Sequence, residues 1–399
     1  MATQVYGNGT TTASAGANTI VHYYDRAGVK AANRVNVYGQ FADRRSMPTK
    51  YGKAFKISRF EHMYDRSMND ADFGTYGFLT ARSWADVNTL LNATDGTGAG
   101  LTEGAGSTNQ RTLQKVTYET NFNRYGEMLE YTDEVDIWSE DYIQVRYREE
   151  LGELANSRYE DLIQRDMLAT ATVMGAGAAA TNADIGVGIA VDGSEDADWV
   201  MSYDLARKAV RKLVRNRAKR NSTIVTGANK IGTQPVASAY YAIIGADVKS
   251  DLETLTRGTS YEREFVYIPV HKYASQGTLA EGEVGAMHEI RFIESEAAMV
   301  YRGEGADVPA TYVGSLQYTG TLGTDAKFDV FPILFPTEGS FATVGLKGFD
   351  KIKFNAKSPA QVELINPYGT KGFFSYNFFY AGIILREECL LKVLVAARN

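Results

Sequence analysis

Cysteine is almost missing from this chain of 399 residues: Cys389 stands alone. A single thiol excludes an internal disulfide and a cysteine-built zinc site, and it fits a reducing compartment. Cys389 lies in the apolar run IILREECLLKVLV, so it reads as a packed core thiol rather than a nucleophile. Proline (8), tryptophan (3) and histidine (4) are also scarce. His22, His62, His271 and His288 are scattered and form no His-Glu-x-x-His pair, which leaves no evident metal centre or general base. There is no P-loop and no Gly-x-Ser-x-Gly elbow. No uncharged apolar stretch reaches about 18 residues, so no membrane-spanning helix is expected. The opening MATQVYGNGTTTASAGANT lacks a basic region followed by an apolar one, so it does not read as a secretory signal. A net charge of −6 argues against wrapping nucleic acid through a global positive field.

Two weaker signals point to little chemistry. Gly175-Ala-Gly177-Ala-Ala-Ala180 superficially fits a dinucleotide fingerprint. That motif should leave a strand and open a helix, whereas here the pattern places it after a helix. Asp192, Glu195, Asp196 and Asp198 crowd one segment, but their spacing is not that of an EF-hand and reads as a solvated acidic loop. No cofactor or metal is expected.

What the chain does have is aromatic bulk, with 25 Tyr and 18 Phe, and a glycine-rich tongue at residues 92–110, NATDGTGAGLTEGAGSTNQ. Many tyrosines suit either a β core or surfaces that are apolar in body and polar at the tip. The tongue carries Gly96, Gly98, Gly100, Gly104 and Gly106 and little able to build a core besides Leu101. Long loops of this kind inside a compact chain usually serve something outside it. The expectation is an arm that orders on lying across a second chain, with Gly96, Gly98, Gly100, Leu101, Glu103 and Gly104 as contact residues. A plain surface loop is the alternative.

The flanking sequences read as strands. Residues 55–60 alternate, and 112–131 offer Leu113, Val116, Tyr118, Phe122, Tyr125 and Leu129 as packing residues, so the two arms are predicted to pair as a ribbon with the tongue at its tip. Asp86 to Leu91 reads as a short helical turn. A long helix is predicted from Ser139, as N-cap, to Met174, roughly 50 Å at 1.5 Å per residue. Its apolar stripe is Ile143, Tyr147, Leu151, Leu154, Ala155, Tyr159, Leu162, Ile163 and Met167, and Arg146–Glu150 and Asp161–Arg165 are charge pairs on its wet side. Residues 175–198 read as a subdomain boundary or surface loop. A second helix is predicted from Ser202 to about Lys219, burying Leu205, Ala206, Ala209, Val210, Leu213 and Val214. Its basic face, drawn from Arg207, Lys208, Arg211, Lys212, Arg215, Arg217, Lys219 and Arg220, suits weak contact with phosphates or with a neighbouring acidic patch, with Arg207, Lys208, Arg211 and Arg215 the candidates; an ordinary solvated face is the other reading. Beyond it the pattern predicts strands at 223–225 and 265–270, a helix near 236–244, a turn and strand over 282–294, and strands at 328–335, 352–354, 373–380 and 389–396. Residues 1–19 read as a polar arm and 19–34 as weakly helical.

This order of parts resembles the major capsid proteins of tailed double-stranded DNA phages with the Hong Kong 97-type fold, and more narrowly the N-four-like podovirus coat family. The resemblance rests on HYYDRAGVKAANR (22–34), KAFKISRF (53–60), VTYETNFNRYGEMLEYTDE (116–134), QPVASAYYAIIGADVKSDL (234–252), GEVGAMHEIRFIES (282–295) and GFFSYNFFYAGIIL (372–385). It implies an α+β fold with an N-terminal arm (1–52), an extended loop with its flanking strands (53–133), a peripheral domain with the spine helix (134–221), an axial domain (about 222–326) and closing strands (327–399). It further implies no enzymatic activity and a coat protein that forms hexamers and pentamers of an icosahedral shell. The implied partners are further copies of itself, a portal protein, scaffold and decoration proteins as separate chains, and non-specifically held packaged DNA, with no membrane. Location would be the virion capsid, assembled in the host cytoplasm. No Lys–Asn pair for covalent cross-linking can be assigned. Two other readings stay open: an encapsulin-like nanocompartment shell, and a cytosolic α/β enzyme using the acidic loop and a histidine.

Overall fold

The computed structural model describes residues 36–60, 115–138, 143–221, 238–255, 282–349, 351–361 and 366–399, together with isolated positions between 84 and 113. After a short 3-10 turn at Tyr38–Phe41 come strands β1 (Asp43–Met47), β2 (Ala54–Phe60), β3 (Lys115–Asn121) and β4 (Asn123–Thr132), then helices α1 (Asp133–Trp138) and α2 (Ile143–Leu168). Strand β5 (Val173–Gly175) leads through 3-10 turns at Ala176–Ala178 and Asn182–Asp184 to helices α3 (Asp196–Trp199) and α4 (Tyr203–Arg215). The remainder is β6 (Tyr240–Ile244), α5 (Ala246–Thr254), β7 (Glu283–Met287), β8 (Ile290–Glu294), β9 (Tyr318–Thr319), β10 (Lys327–Phe328), β11 (Phe331–Phe335), β12 (Phe341–Leu346), β13 (Lys353–Lys357), β14 (Lys371–Ile384) and β15 (Leu391–Val395).

A six-stranded sheet in the order β5-β15-β11-β6-β8-β7 is covered on both faces. Its side chains divide by the two-residue period of a strand. Tyr240, Ala242, Ile244, Phe292, Ile333 and Val393 face Leu205, Ala209 and Leu213 of α4 and Val248 and Leu252 of α5. Tyr241, Ile243, Ile293 and Leu334 face the side occupied by Leu151, Ile163 and Met167 of α2. Burial on both faces explains why β6 is not the helix predicted near 236–244: all five of its residues are buried, and a short wholly apolar run carries no period that tells strand from helix.

The second large sheet is organised by β14. Residues 371–380 pair antiparallel with β4, residues 373–377 pair with β13 on the other side, and residues 381–384 pair with β12, beyond which β1 runs parallel. As far as Tyr380 the alternation of β14 holds, with Phe374, Tyr376, Phe378 and Tyr380 buried, and it changes phase at the buried Ala381. They meet the aromatic stripe of α2, with the Tyr159 ring 5.7 Å from Phe378 and 5.6 Å from Tyr380, edge to face, an arrangement that adds to plain burial. A Cβ at Gly382 would collide with the Asp166 carboxylate and the Tyr380 hydroxyl, so a larger residue there would have to push these side-chain ends aside.

Helix α2 carries the expected stripe from Tyr147 to Met167, but it ends at Leu168 instead of Met174 and spans about 39 Å. The β-branched Thr170, Thr172 and Val173 favour extended chain. The Thr170 hydroxyl donates to the Leu390 carbonyl at 2.9 Å, and the Lys392 ammonium to the Leu168 carbonyl at 3.0 Å, taking one of the orphan carbonyls at the helix end. Ser139 lies outside the described residues, and Arg165 turns to Asp166 at 2.8 Å. Segment 175–198 is largely exposed but anchored at a few buried points. Ile185, Ile189 and Trp199 are buried in a third core with Tyr312, Leu316 and Phe328. Helix α4 opens on Ser202, whose hydroxyl accepts from the Leu205 N–H at 3.2 Å, and stops at Arg215. Val214, predicted on the buried face, is exposed. The strand predicted over 282–294 is a hairpin, β7 and β8, turning at His288, and β1 and β12 were not predicted. The arm at 1–19, the helical reading of 19–34, His22, His62 and His271, and the strands at 223–225 and 265–270 lie outside the described residues.

Candidate inter-subunit surfaces

The ribbon forms as predicted. Strands β2 and β3 pair antiparallel from Ala54↔Asn121 to Phe60↔Lys115, and Lys56 bridges to Glu119 at 2.9 Å across the pair. An isolated two-stranded ribbon is marginal in water, and this one rests one face on its own subunit. Phe55, Ile57 and Tyr118 pack on the core of Met47, Phe122, Val344, Ala381 and Ile383. Two polar links hold it near both ends: beside the tongue end Arg59 meets Glu388 at 2.7 Å with both side chains largely covered, and near the root the Thr120 hydroxyl donates to the Gly382 carbonyl at 2.9 Å. Sequence reasoning missed Arg59, Glu388 and Thr120, because their partners lie hundreds of residues away and no local pattern marks them.

The tongue is described in part. Gly96 and Gly98 lie outside the described residues. Gly100 is half-buried, Glu103 and Gly104 are exposed, and Leu101 is 79% exposed. Gly104 has φ +76° with open space where a Cβ would be. Helical backbone at Trp84, Asn88, Leu91 and Asn92 fits a turn before the tongue, and the Asn92 amide donates to the Asn88 carbonyl at 3.0 Å. Trp84 and Trp138, two of the three tryptophans, are 80% and 82% exposed, and Ile137 and Met128 are exposed as well. Large bare apolar groups are what a partner surface requires.

The 3-10 turn at Tyr38–Phe41 is clamped onto α2. Glu160, buried, accepts from the Tyr38 N–H and from the Gly39 N–H at 3.2 Å, and the Tyr38 hydroxyl lies 2.8 Å from the Gln164 amide. Burial raises the Glu160 pKa above the usual carboxylate range, against the downward pull of those backbone donors.

The basic helix is less uniform than its sequence. Arg207 pairs with Asp204 at 3.8 Å. Lys212 points inward and donates to the Val173 carbonyl at 2.8 Å, and burial depresses its pKa to about 8. Arg217, Lys219 and Arg220 lie beyond the helix end, with Arg220 held by Glu289. Lys208, Arg211, Lys212 and Arg215 line a cleft of about 390 Å³ whose floor is the segment from Val173 to Ala180. The glycine motif at the start of that floor follows a strand, not the helix expected, but it opens a three-residue 3-10 turn, which gives no dinucleotide site.

The features expected of an enzyme are weak. Asp196 is buried and accepts from the Tyr312 hydroxyl at 2.8 Å, the Ser315 N–H at 2.6 Å and the Ser315 hydroxyl at 2.9 Å, so it fastens the third core and is not part of a solvated loop. Asp192 is held by Ser194, which keeps its carboxyl below the usual range. Among the described residues no group of His, Cys, Asp and Glu is placed to hold a metal. Cys389 is buried, and burial pushes its thiol up to about 12, the opposite of an activated nucleophile. No described helix is long and apolar enough to cross a membrane.

Comparison with known proteins gives this geometry a context. No protein-family model matches the chain. The major capsid protein of Pseudomonas phage KPP21 is 28% identical over 399 aligned residues, covering 96% of this chain and 94% of that protein. The capsid of Ralstonia phage GP4 superposes with a TM-score of 0.60 at 10% identity, covering 98% of each chain. By sequence the chain is similar to a phage major capsid protein, and by fold to phage capsids. The capsid of cyanophage Pam1 (TM-score 0.52, 10% identity, 96% of this chain and 98% of that one) and the head of Helicobacter pylori bacteriophage KHP40 (0.51, 10%, 98% and 99%) share the fold. It is the Hong Kong 97-type α+β fold.

Proposed function

We propose that copies of this chain build the icosahedral shell of a phage head, as hexamers and pentamers enclosing double-stranded DNA. The observation that carries this reading is the near full-length similarity to the KPP21 major capsid protein; the packed body and the one-sidedly packed ribbon support a mechanism. A shell needs one subunit to accept both five-fold and six-fold surroundings. Contacts between copies are heterologous, so a donor surface on one copy meets a different acceptor surface on the next. The doubly covered sheet keeps the subunit's shape. Donor segments come from the arm (1–52) and the extended loop (53–133), apart from Tyr38, β1 and β4, which pack in the subunit's own body, and Gly96, Gly98, Gly100, Leu101, Glu103 and Gly104 reach across to the adjacent copy. Residues 134–221 form the peripheral domain, about 222–326 the axial domain around which rings close, and 327–399 the closing strands. Single contacts are modest and the linked lattice is strong.

The chain is structural and not catalytic in this reading. The portal, scaffold and decoration proteins are separate chains, assembly takes place in the host cytoplasm, and the subfamily is the N-four-like one. Deleting Gly96–Gly106 tests the mechanism. The expected result, by electron microscopy, is a folded subunit with impaired shell formation. Normal particles of normal stability would refute the role of the tongue. Purified native particles without nucleic acid would favour a nanocompartment instead.

A further inference from the structure

The cleft beneath α4 combines features that a solvated helix face does not need. Its floor is rigid. Gly177 and Ala178 both sit in the left-handed region, at φ +58° and +66°, and a Cβ at Gly177 would meet the Trp199 ring at 2.6 Å. Ala178 therefore holds a conformation that non-glycine residues seldom adopt, a kind of strain that tends to mark functional positions. The walls are cationic. Lys208, Arg211 and Arg215 recur at helical spacing on one face of α4 and line the cleft together. Lys208 and Arg211 are exposed, and among the described residues neither is paired with a carboxylate. Arg207 and Arg220, outside the cleft, do have such partners.

The identity of the ligand follows from the edge strand. β5 is the outermost strand of its sheet, and an acidic peptide would ordinarily bind such a place by adding a strand. Here the Val173 carbonyl is already taken by the Lys212 ammonium, so that route is closed. The small residues Gly175 and Ala178 offer no side-chain pockets. They do permit close approach of a compact anion, and the arginine forks match phosphate oxygens.

We propose that this cleft binds the phosphate groups of nucleic acid, without regard to sequence. The proposal rests on the reading of the chain as a coat enclosing DNA, and it names where on the subunit the enclosed strand is held.

Fluorescence anisotropy with the full-length chain and a short labelled duplex, over a range of sodium chloride concentrations, tests it. Lys208→Ala/Arg211→Ala is the variant and Lys347→Ala, an exposed cation on another strand end, the control. The double variant is expected to weaken duplex binding by about tenfold or more at low salt and to make the log–log salt dependence shallower by about 2, since each phosphate contact contributes about 0.9. The control is expected to change binding by less than about twofold, because a single charge away from the cleft alters only the screened field. Pyrophosphate should compete with the duplex better than polyglutamate does.

Wild-type affinity in the double variant, an equal loss in the control, or better competition by polyglutamate would each overturn the proposal. Pyrophosphate binding without duplex binding would overturn the assignment to nucleic acid, leaving a site for free polyphosphate. Electron microscopy separates this from the coat reading: normal shells from the double variant are expected. Failure to assemble would make the cleft a contact between copies and so overturn it, while a negative binding result with normal shells leaves the coat function intact.

Discussion

The six-stranded sheet and the β2–β3 ribbon are both β structure, yet they are held in opposite ways. In the sheet, Phe292, Ile333 and Ile293 are fully buried and each face has its own helix cover. In the ribbon, side chains alternate between half-buried and exposed along both strands, and the attachment is one apolar face plus the Arg59–Glu388 and Thr120–Gly382 links. Two-sided burial fixes a shape. One-sided burial with a few polar ties leaves an element that is placed but able to change its angle. A subunit that must meet unequal neighbours needs both kinds.

The sharpest way to break this contrast is to damage the body. Phe292→Ala is expected to cost about 3–5 kcal/mol, the usual range for truncating a buried aromatic, read as a lower urea midpoint. Loss of β7 and β8 alone, with α2 and β14 unaffected, would mean that the body is not one cooperative unit. Arg59→Ala acts on the other side of the comparison. A charge-assisted link this well covered contributes about 1.5–3 kcal/mol, and here the loss should appear locally. Amide hydrogens of residues 54–60 and 115–121 are expected to exchange faster while those of β11 and β15 keep their protection. Equal acceleration in β11 and β15 would show that ribbon and body open together.

How far this was legible from the sequence follows from the same distinction. Where one face of a strand is buried, the alternation shows in the residues: β2, β4 and the Phe-Tyr-Phe-Tyr series of β14 were readable, as were the apolar stripes of α2 and α4. Where both faces are buried, as at Tyr240–Ile244, the run is uniformly apolar and its period vanishes. The third core was hidden for a different reason. Its buried Ile185, Ile189 and Trp199 are set among glycines, alanines and acids, and the partners that cover them, Tyr312 and Phe328, lie more than a hundred residues on. The tie between ribbon and body was not legible, because Arg59 and Glu388 look like any surface charges. At the basic helix, counting charges showed cations but not that Lys212 turns inward while Lys208 and Arg211 stay bare.

That inward turn carries the finest test of the comparison, because it concerns how each region treats its open edge. The ribbon's outward positions carry exposed charges, Lys56 and Glu119 among them. The body's edge at β5 is sealed from within by the Lys212 ammonium on the Val173 carbonyl. Burial lowers the Lys212 pKa from 10.5 to about 8, so between those values the unfolded chain binds more protons than the folded one. Stability from this group is therefore present above 10.5, rises as pH climbs through that window and is lost as pH falls through about 8. Cys389 works the other way, its thiol being raised from 9.0 to about 12, so its contribution fades as pH rises through that range. The interval from pH 8 to 9 lies below the thiol's range, and Lys392, its pKa also lowered by burial, is common to wild type and variant and drops out of their difference. Lys212→Met keeps the aliphatic stem and removes the charge. The difference in unfolding free energy between wild type and this variant is expected to shift toward wild type over that interval, by about 1.4 kcal/mol per pH unit at most. A difference that stays flat would mean that the ammonium is solvated, and that the edge of the body is as open as that of the ribbon.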